Sequence, residues 1–194
     1  MNRTFPSRKD RIILTAVEII NDSGIQGIST KELAKRQDIT ESLLYRYFKS
    51  KDDIIVAVIE YYSCFDNVIM NTILKSDLSY RERITEFICM FAEYYENYPA
   101  ITSILHYYHQ LLNDKNTSDL VKDIFTKRDI FLYELIKSGQ EIGEISQFFT
   151  PYELVDIIWG ITKNLTLKWS IDGYSFPLKE RTISILNKIF DKCT

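Results

Sequence analysis

Between Thr30 and Phe48 the chain reads as two very short helices separated by Gln37-Asp38-Ile39, a stretch with room only for a turn. Helices of one or two turns do not persist in water by propensity alone, because nucleation fixes several dihedrals for each early hydrogen bond. Such a pair needs a third helix behind it. Residues 8–23 supply one: Ile12, Ile13, Ala16, Val17, Ile19 and Ile20 recur at helical spacing, and Gly24 is a natural stop. Three helices, the last two tightly joined, make a helix-turn-helix. The second of that pair fits the DNA major groove, which at ~12 Å width admits one helix.

The helix starts are marked by small hydroxyl residues. Thr30 reads as the N-cap of a helix over 31–36, Thr40 as that of 41–48, and Ser50 as that of a long helix over 51–75. Beyond it the spacing predicts helices over 79–97, 99–113, 117–138, 151–172 and 177–192, with a loop at 139–150. Six Gly and four Pro in 194 residues suit this all-α reading of about nine helices. The expected division is a helix-turn-helix domain over 1–50 and a larger helical ligand-binding and dimerisation domain over 51–194.

Charge divides the same way. Residues 1–51 carry ten Lys/Arg against six Asp/Glu, and the remainder 14 against 21. A basic head on an acidic body suggests that only the head meets a polyanion. The three cysteines, Cys64, Cys89 and Cys193, are widely spaced and odd in number. That argues for a reducing compartment rather than a disulfide framework. The opening Met1-Asn2-Arg3-Thr4-Phe5-Pro6 has no apolar stretch behind it, so no secretory signal is expected. The longest uncharged stretch, 97–113, holds two His, a Gln and a Pro and would span a membrane poorly. The expected location is the cytoplasm.

On the second short helix, Ile39, Leu44 and Phe48 are spaced to face the core. That leaves Glu41, Ser42, Leu43, Tyr45, Arg46 and Tyr47 facing outward to varying degrees. Two phenols and an Arg suit phosphates and base edges. Thr30 and Thr40 at helix starts offer backbone N–H groups, with Lys31, Lys49 and Lys51 adding charge beside them. These eleven residues form the candidate DNA-binding set.

The segment from Asp10 to Tyr62 resembles the DNA-binding head of the TetR family of regulators. The matching residues are Arg11, Ile12, Leu14, Ala16 and Gly24; Ser29-Thr30-Lys31-Glu32-Leu33-Ala34; then Ile39-Thr40, Leu44-Tyr45, Tyr47-Phe48, Lys51 and Ile54. The chain departs from that pattern at Gln37-Asp38, where the family usually has Ala-Gly. It departs again at Ser42, where Gly or Ala is common, and at Tyr47, where His is common. Glu41, an acid near the groove, is the oddest. It could accept from cytosine N4 or lower affinity.

The resemblance implies an effector pocket between the middle helices. Aromatic residues are abundant over 80–149, and phenolic rings suit an apolar or aromatic ligand, although most rings at helical spacing are simply core. The candidate lining is Phe87, Phe91, Tyr95, Leu105, Tyr108, Phe125 and Trp159. The resemblance also implies dimerisation through the last two helices, with Leu154, Ile158, Ile161, Leu165, Ile183, Leu186 and Phe190 as candidates and Gly160 allowing close approach. His106 and His109, three apart, are too few for a zinc site. No cofactor motif, metal set or catalytic grouping is present, and the chain does not read as an enzyme. The expected function is a DNA-binding repressor released from its operator by a small apolar or aromatic molecule. The alternative is a TetR-like protein-interaction module that no longer binds DNA.

Overall fold

A computed structural model describes residues 6–192. Its described residues are helical throughout, with eleven α-helices, two short 3-10 turns and no strand. The chain divides into two compact units. Among the described residues, one comprises 6–64 and 100–123, the other 65–99 and 124–192. The first unit therefore extends past the expected boundary at residue 50 and takes in a distant second segment.

In the first unit α1 spans Arg8–Ser23 and begins at a capping box: Asp10 N–H donates to Ser7 Oγ, and Ser7 N–H donates to Asp10. Its buried stripe is the one predicted, Ile12, Ile13, Ala16, Val17, Ile19 and Ile20. α2 (Thr30–Arg36) and α3 (Glu41–Leu44) follow, then α4 (Lys51–Tyr62), which packs on α1. The second segment adds a 3-10 turn (Pro99–Thr102), α7 (Ser103–His106) and α8 (Tyr108–Leu112). α7 lies against α1, where Tyr107 Oη comes so close to Gly24 that a Cβ there would be 2.5 Å away. Gly24 also holds φ +74, so its missing side chain serves both needs.

The second unit contains α5 (Asp66–Leu74), α6 (Tyr80–Asn97), most of α9 (Ser118–Glu141), α10 (Pro151–Ile171) and α11 (Leu178–Lys192). α6 packs most extensively on α11, and α5 lies on α6. α6 and α10 open on capping boxes, Ser79 with Glu82 and Thr150 with Glu153, and Pro151 stands at N1 of α10.

Four expectations are corrected. The cap of α2 is Ser29, which accepts from Glu32 N–H at 3.1 Å; Thr30 is the first helical residue. The helix expected over 51–75 is interrupted at Ser63-Cys64-Phe65, where Ser63 Oγ donates back to the carbonyls of Ile59 and Glu60. The helix expected over 99–113 is broken into pieces, with Tyr107 (φ −102, ψ 5) at the break. Gly139 does not end its helix. An added Cβ there would sit 2.6 Å from Ile145 Cδ1 and 2.9 Å from Tyr80 Cβ, so Gly139 permits close packing while α9 runs on to Glu141.

Candidate nucleic-acid interface

The turn between α2 and α3 is built on Asp38, which takes φ +50. This is the left-handed conformation that glycine adopts freely and Asp tolerates better than most residues. Ile39 N–H returns to the Ala34 carbonyl at 3.0 Å and closes the end of α2. Gln37 Nε2 donates to Thr15 Oγ1 at 2.6 Å, tying the turn to α1. Thr40 then caps α3 as expected, accepting from Leu43 N–H at 3.3 Å.

α3 has only four helical residues, fewer than expected, and Tyr45, Arg46 and Tyr47 continue it as a turn. Its inward side is Leu44 and Phe48, both buried, with Ile39 half-buried. Glu41, Ser42, Tyr45, Arg46, Tyr47 and Lys49 are exposed, and Leu43 is half-buried. Tyr45 is 51% exposed and Tyr47 39%, more than packing residues would be. Lys31 and Thr40 are exposed on the same unit, and Lys51 and Thr30 half-buried. Thr30 has a partner that no sequence motif signals: its hydroxyl donates to Glu41 Oε2 at 2.6 Å. Ser50 caps α4 in a box with Asp53, whose carboxylate also receives Lys49 N–H at 2.9 Å. Lys49 and Lys51 thus flank a rigid helix start.

In the second unit, Phe87 and Phe91 meet edge to face with ring centroids 5.1 Å apart. Trp159 lies 6.2 Å from both. Tyr95 adjoins Phe91 at 6.5 Å, and Phe131, absent from the candidate set, lies 4.8 Å from Phe87. Phe87, Phe91 and Tyr95 are buried; Trp159 and Phe125 are half-buried. The Phe125 ring carries Lys163 Nζ at 4.6 Å. Leu105 and Tyr108 belong to the first unit, where Tyr108 meets Tyr62 edge to face at 6.0 Å.

Residues 12–58 match the family model of bacterial regulatory proteins of the TetR family. The helix-turn-helix segment is thus similar to that of the TetR family. The match covers the helix-turn-helix and the start of α4, about a quarter of the chain. The nucleoid occlusion factor SlmA of Aliivibrio fischeri (strain MJ11) is 22% identical over 186 residues, covering 86% of this chain and 94% of that protein. Among solved structures, FadR of Bacillus subtilis in complex with stearoyl-CoA superposes with a TM-score of 0.78 at 19% identity, covering 93% of this chain and 96% of that one. AibR in complex with isovaleryl coenzyme A and operator DNA gives 0.79 at 17% identity, covering 95% and 98%. At these identities the superpositions establish the shared helical fold.

The terminal helices divide the remaining candidates. Leu154, Ile158, Leu165, Leu186 and Phe190 are buried inside their own unit; Ile161 and Ile183 are half-buried. The outer face of α10 instead shows Gly160, Asn164, Leu167 and Ile171, at helical spacing, with Leu167 42% and Ile171 74% exposed. Nothing lies within 4 Å of the Cβ position of Gly160. His106 and His109 are exposed and fall on different helices, separated by the break at Tyr107. Among the described residues no group of three or more His, Cys, Asp or Glu could hold a metal ion. No helix among them is long and apolar enough to cross a membrane.

Proposed function

We propose that this TetR-family regulator represses transcription as a homodimer and leaves its operator when a small apolar or aromatic molecule occupies its second unit. The observation that carries the DNA-binding part is the surface of α3 and the turn after it. α3 and the turn after it, anchored by buried Leu44 and Phe48, present Glu41, Ser42, Tyr45, Arg46 and Tyr47 to solvent, with Lys49 and Lys51 beside them. A monomeric domain has no structural need for two exposed phenols beside three cations.

For the effector, the supporting observation is the cluster of Phe87, Phe91, Tyr95 and Trp159. A ligand of matching chemistry would part these rings and shift the helices that carry them. An acyl chain, as in the coenzyme A thioesters of the solved FadR and AibR complexes, would supply the apolar part of such a ligand, and these thioesters are the first compounds to try. Movement in the second unit has three covalent routes to the first, at residues 64/65, 99/100 and 123/124. A ligand that prefers a half-site spacing other than the operator's weakens binding by its differential affinity, commonly ~1–3 kcal/mol.

The second copy is expected on the outer face of α10. Gly160 allows close approach there, and Leu167 and Ile171 expose apolar surface.

The test is fluorescence anisotropy with DNA from upstream of the chain's own gene. Wild-type protein should bind it in preference to random DNA. Lys51→Ala should weaken all sequences alike and lower the salt slope by about one unit. Acyl thioesters of graded length should release the operator. Absence of any DNA binding even at low salt, where phosphate contacts are strongest, would favour the interaction-module reading instead.

A further inference from the structure

A carboxylate at the start of a recognition helix is an awkward group to bring to DNA, since it repels phosphates. Glu41 is exposed, yet it is not loose. Thr30 Oγ1 donates to Glu41 Oε2 at 2.6 Å, a charge-assisted hydrogen bond across eleven residues that joins the start of α2 to the start of α3. The hydroxyls around it have other work. Ser29 caps α2 by accepting from Glu32 N–H. Thr40 caps α3 and lies 3.0 Å from Ser42 Oγ. Thr30 is not needed as a cap, and its one hydroxyl proton is given to Glu41. While that bond holds, Thr30 cannot donate to a phosphate.

The result is a carboxylate with one oxygen fixed and no proton to offer. An acceptor-only group in the major groove pairs with an exocyclic amine and is repelled by acceptors. Guanine presents two acceptors, O6 and N7. Adenine presents an amine beside the N7 acceptor. Cytosine presents its N4 amine alone. We propose that Glu41 is a specificity-determining residue that selects cytosine at one position of each half-site, and that Thr30 is the positioning residue that aims it. This rests on the DNA-binding reading above.

The experiment is binding-site selection on the full chain, with anisotropy at two salt concentrations, for wild type, Thr30→Val, Thr30→Ser and Glu41→Gln. Melting temperatures confirm that each variant is folded. Wild type should select cytosine at one position. Glu41→Gln should move that position toward adenine, whose N6 and N7 an amide can bind together, and should raise affinity for random DNA. Thr30→Val should lose most of the preference at that position alone, a drop of about tenfold in discrimination, with an unchanged salt slope. Thr30→Ser, which keeps the donor, should restore it. If Thr30→Val weakens every sequence equally and keeps the preference, Thr30 is a phosphate contact and the proposal is wrong. Retention of the wild-type motif by Glu41→Gln overturns it as well. Failure of the wild type to select any motif removes the DNA-binding reading itself, an outcome distinct from either.

Discussion

Arg128 donates from Nε and Nη2 to the two carboxylate oxygens of Asp66, each at 2.7 Å, in the interior of the second unit. Both residues are buried, and the guanidinium also lies 4.5 Å from the centroid of the Phe91 ring. Asp66 is the first residue of α5, immediately after the helix break, so the pair fixes where α5 starts against α9. Removing one member of a buried pair leaves a desolvated charge, which costs about 3–5 kcal/mol, whereas apolar replacement of both is often close to neutral. Asp66→Ala should therefore destabilise by about 3 kcal/mol. The double variant Asp66→Leu/Arg128→Met should recover most of that loss. Urea denaturation measures both; equal losses in single and double variants would show that the pair matters as volume, not as charge.

The turn at Asp38 makes a second expectation. A non-glycine residue at φ +50 pays about 1–2 kcal/mol, somewhat less for Asp. Asp38→Gly should stabilise by up to about 1 kcal/mol and keep DNA binding. Asp38→Val, β-branched at the same φ, should destabilise by about 1–2 kcal/mol. Thermal melts of the two variants should move in opposite directions.

Acid should loosen the helix starts. Hydrogen bonds from Ser7 hold the Asp10 carboxyl below its ordinary 3.8, and those from Ser79 hold Glu82 below 4.5. The Thr150 backbone N–H, then its hydroxyl, does the same for Glu153. A carboxyl whose folded value is depressed stabilises the fold above its ordinary value and loses that contribution as pH falls through the folded one. The contribution of these three helix starts should stay level from neutral pH down to about pH 4.5 and then decline. The double variant Glu82→Gln/Glu153→Gln should show a shallower decline in melts taken between pH 6 and pH 3.

Oligomer state tests the outer face of α10. Ile171→Asp and Leu167→Asp place charges on exposed positions and should give folded monomers. Leu186→Asp is a poorer test, because Leu186 is fully buried in its own unit and the substitution would unfold it. Sedimentation of the two surface variants, with circular dichroism as the folding control, decides the matter. Dimers that survive both substitutions would place the interface elsewhere.

Local signals carried the reading of the fold where chemistry is local. Thr40 and Ser50 announced helix starts because a capping hydroxyl sits next to the turn it closes. The stripe of α1 and the inward set Leu44 and Phe48 were legible for the same reason. The boxes at Ser7, Ser79 and Thr150 have a three-residue spacing to an N3 carboxylate but were not singled out. What escaped depends on distant partners or on backbone competition. The break at Ser63, where its hydroxyl donates to the carbonyls of Ile59 and Glu60, lies within an unbroken apolar spacing that does not reveal it. Gly139 looked like a stop because the side chains it makes room for, Tyr80 and Ile145, were not visible in the pattern. The Asp66–Arg128 pair is separated by 62 residues and the Thr30–Glu41 pair by 11, and neither has a sequence signature. The terminal helices showed apolar stripes, but not which half of each stripe their own unit would consume.

The first unit is assembled from two stretches of chain, 6–64 and 100–123, with α7 seated on α1. On the ribosome, then, α3 is synthesised early, but its unit cannot be completed until residue 123 has cleared the exit tunnel. A fragment cut after residue 64 would leave the α1 surface that α7 covers open to water. Grafting this head onto another body would mean transplanting its second segment too.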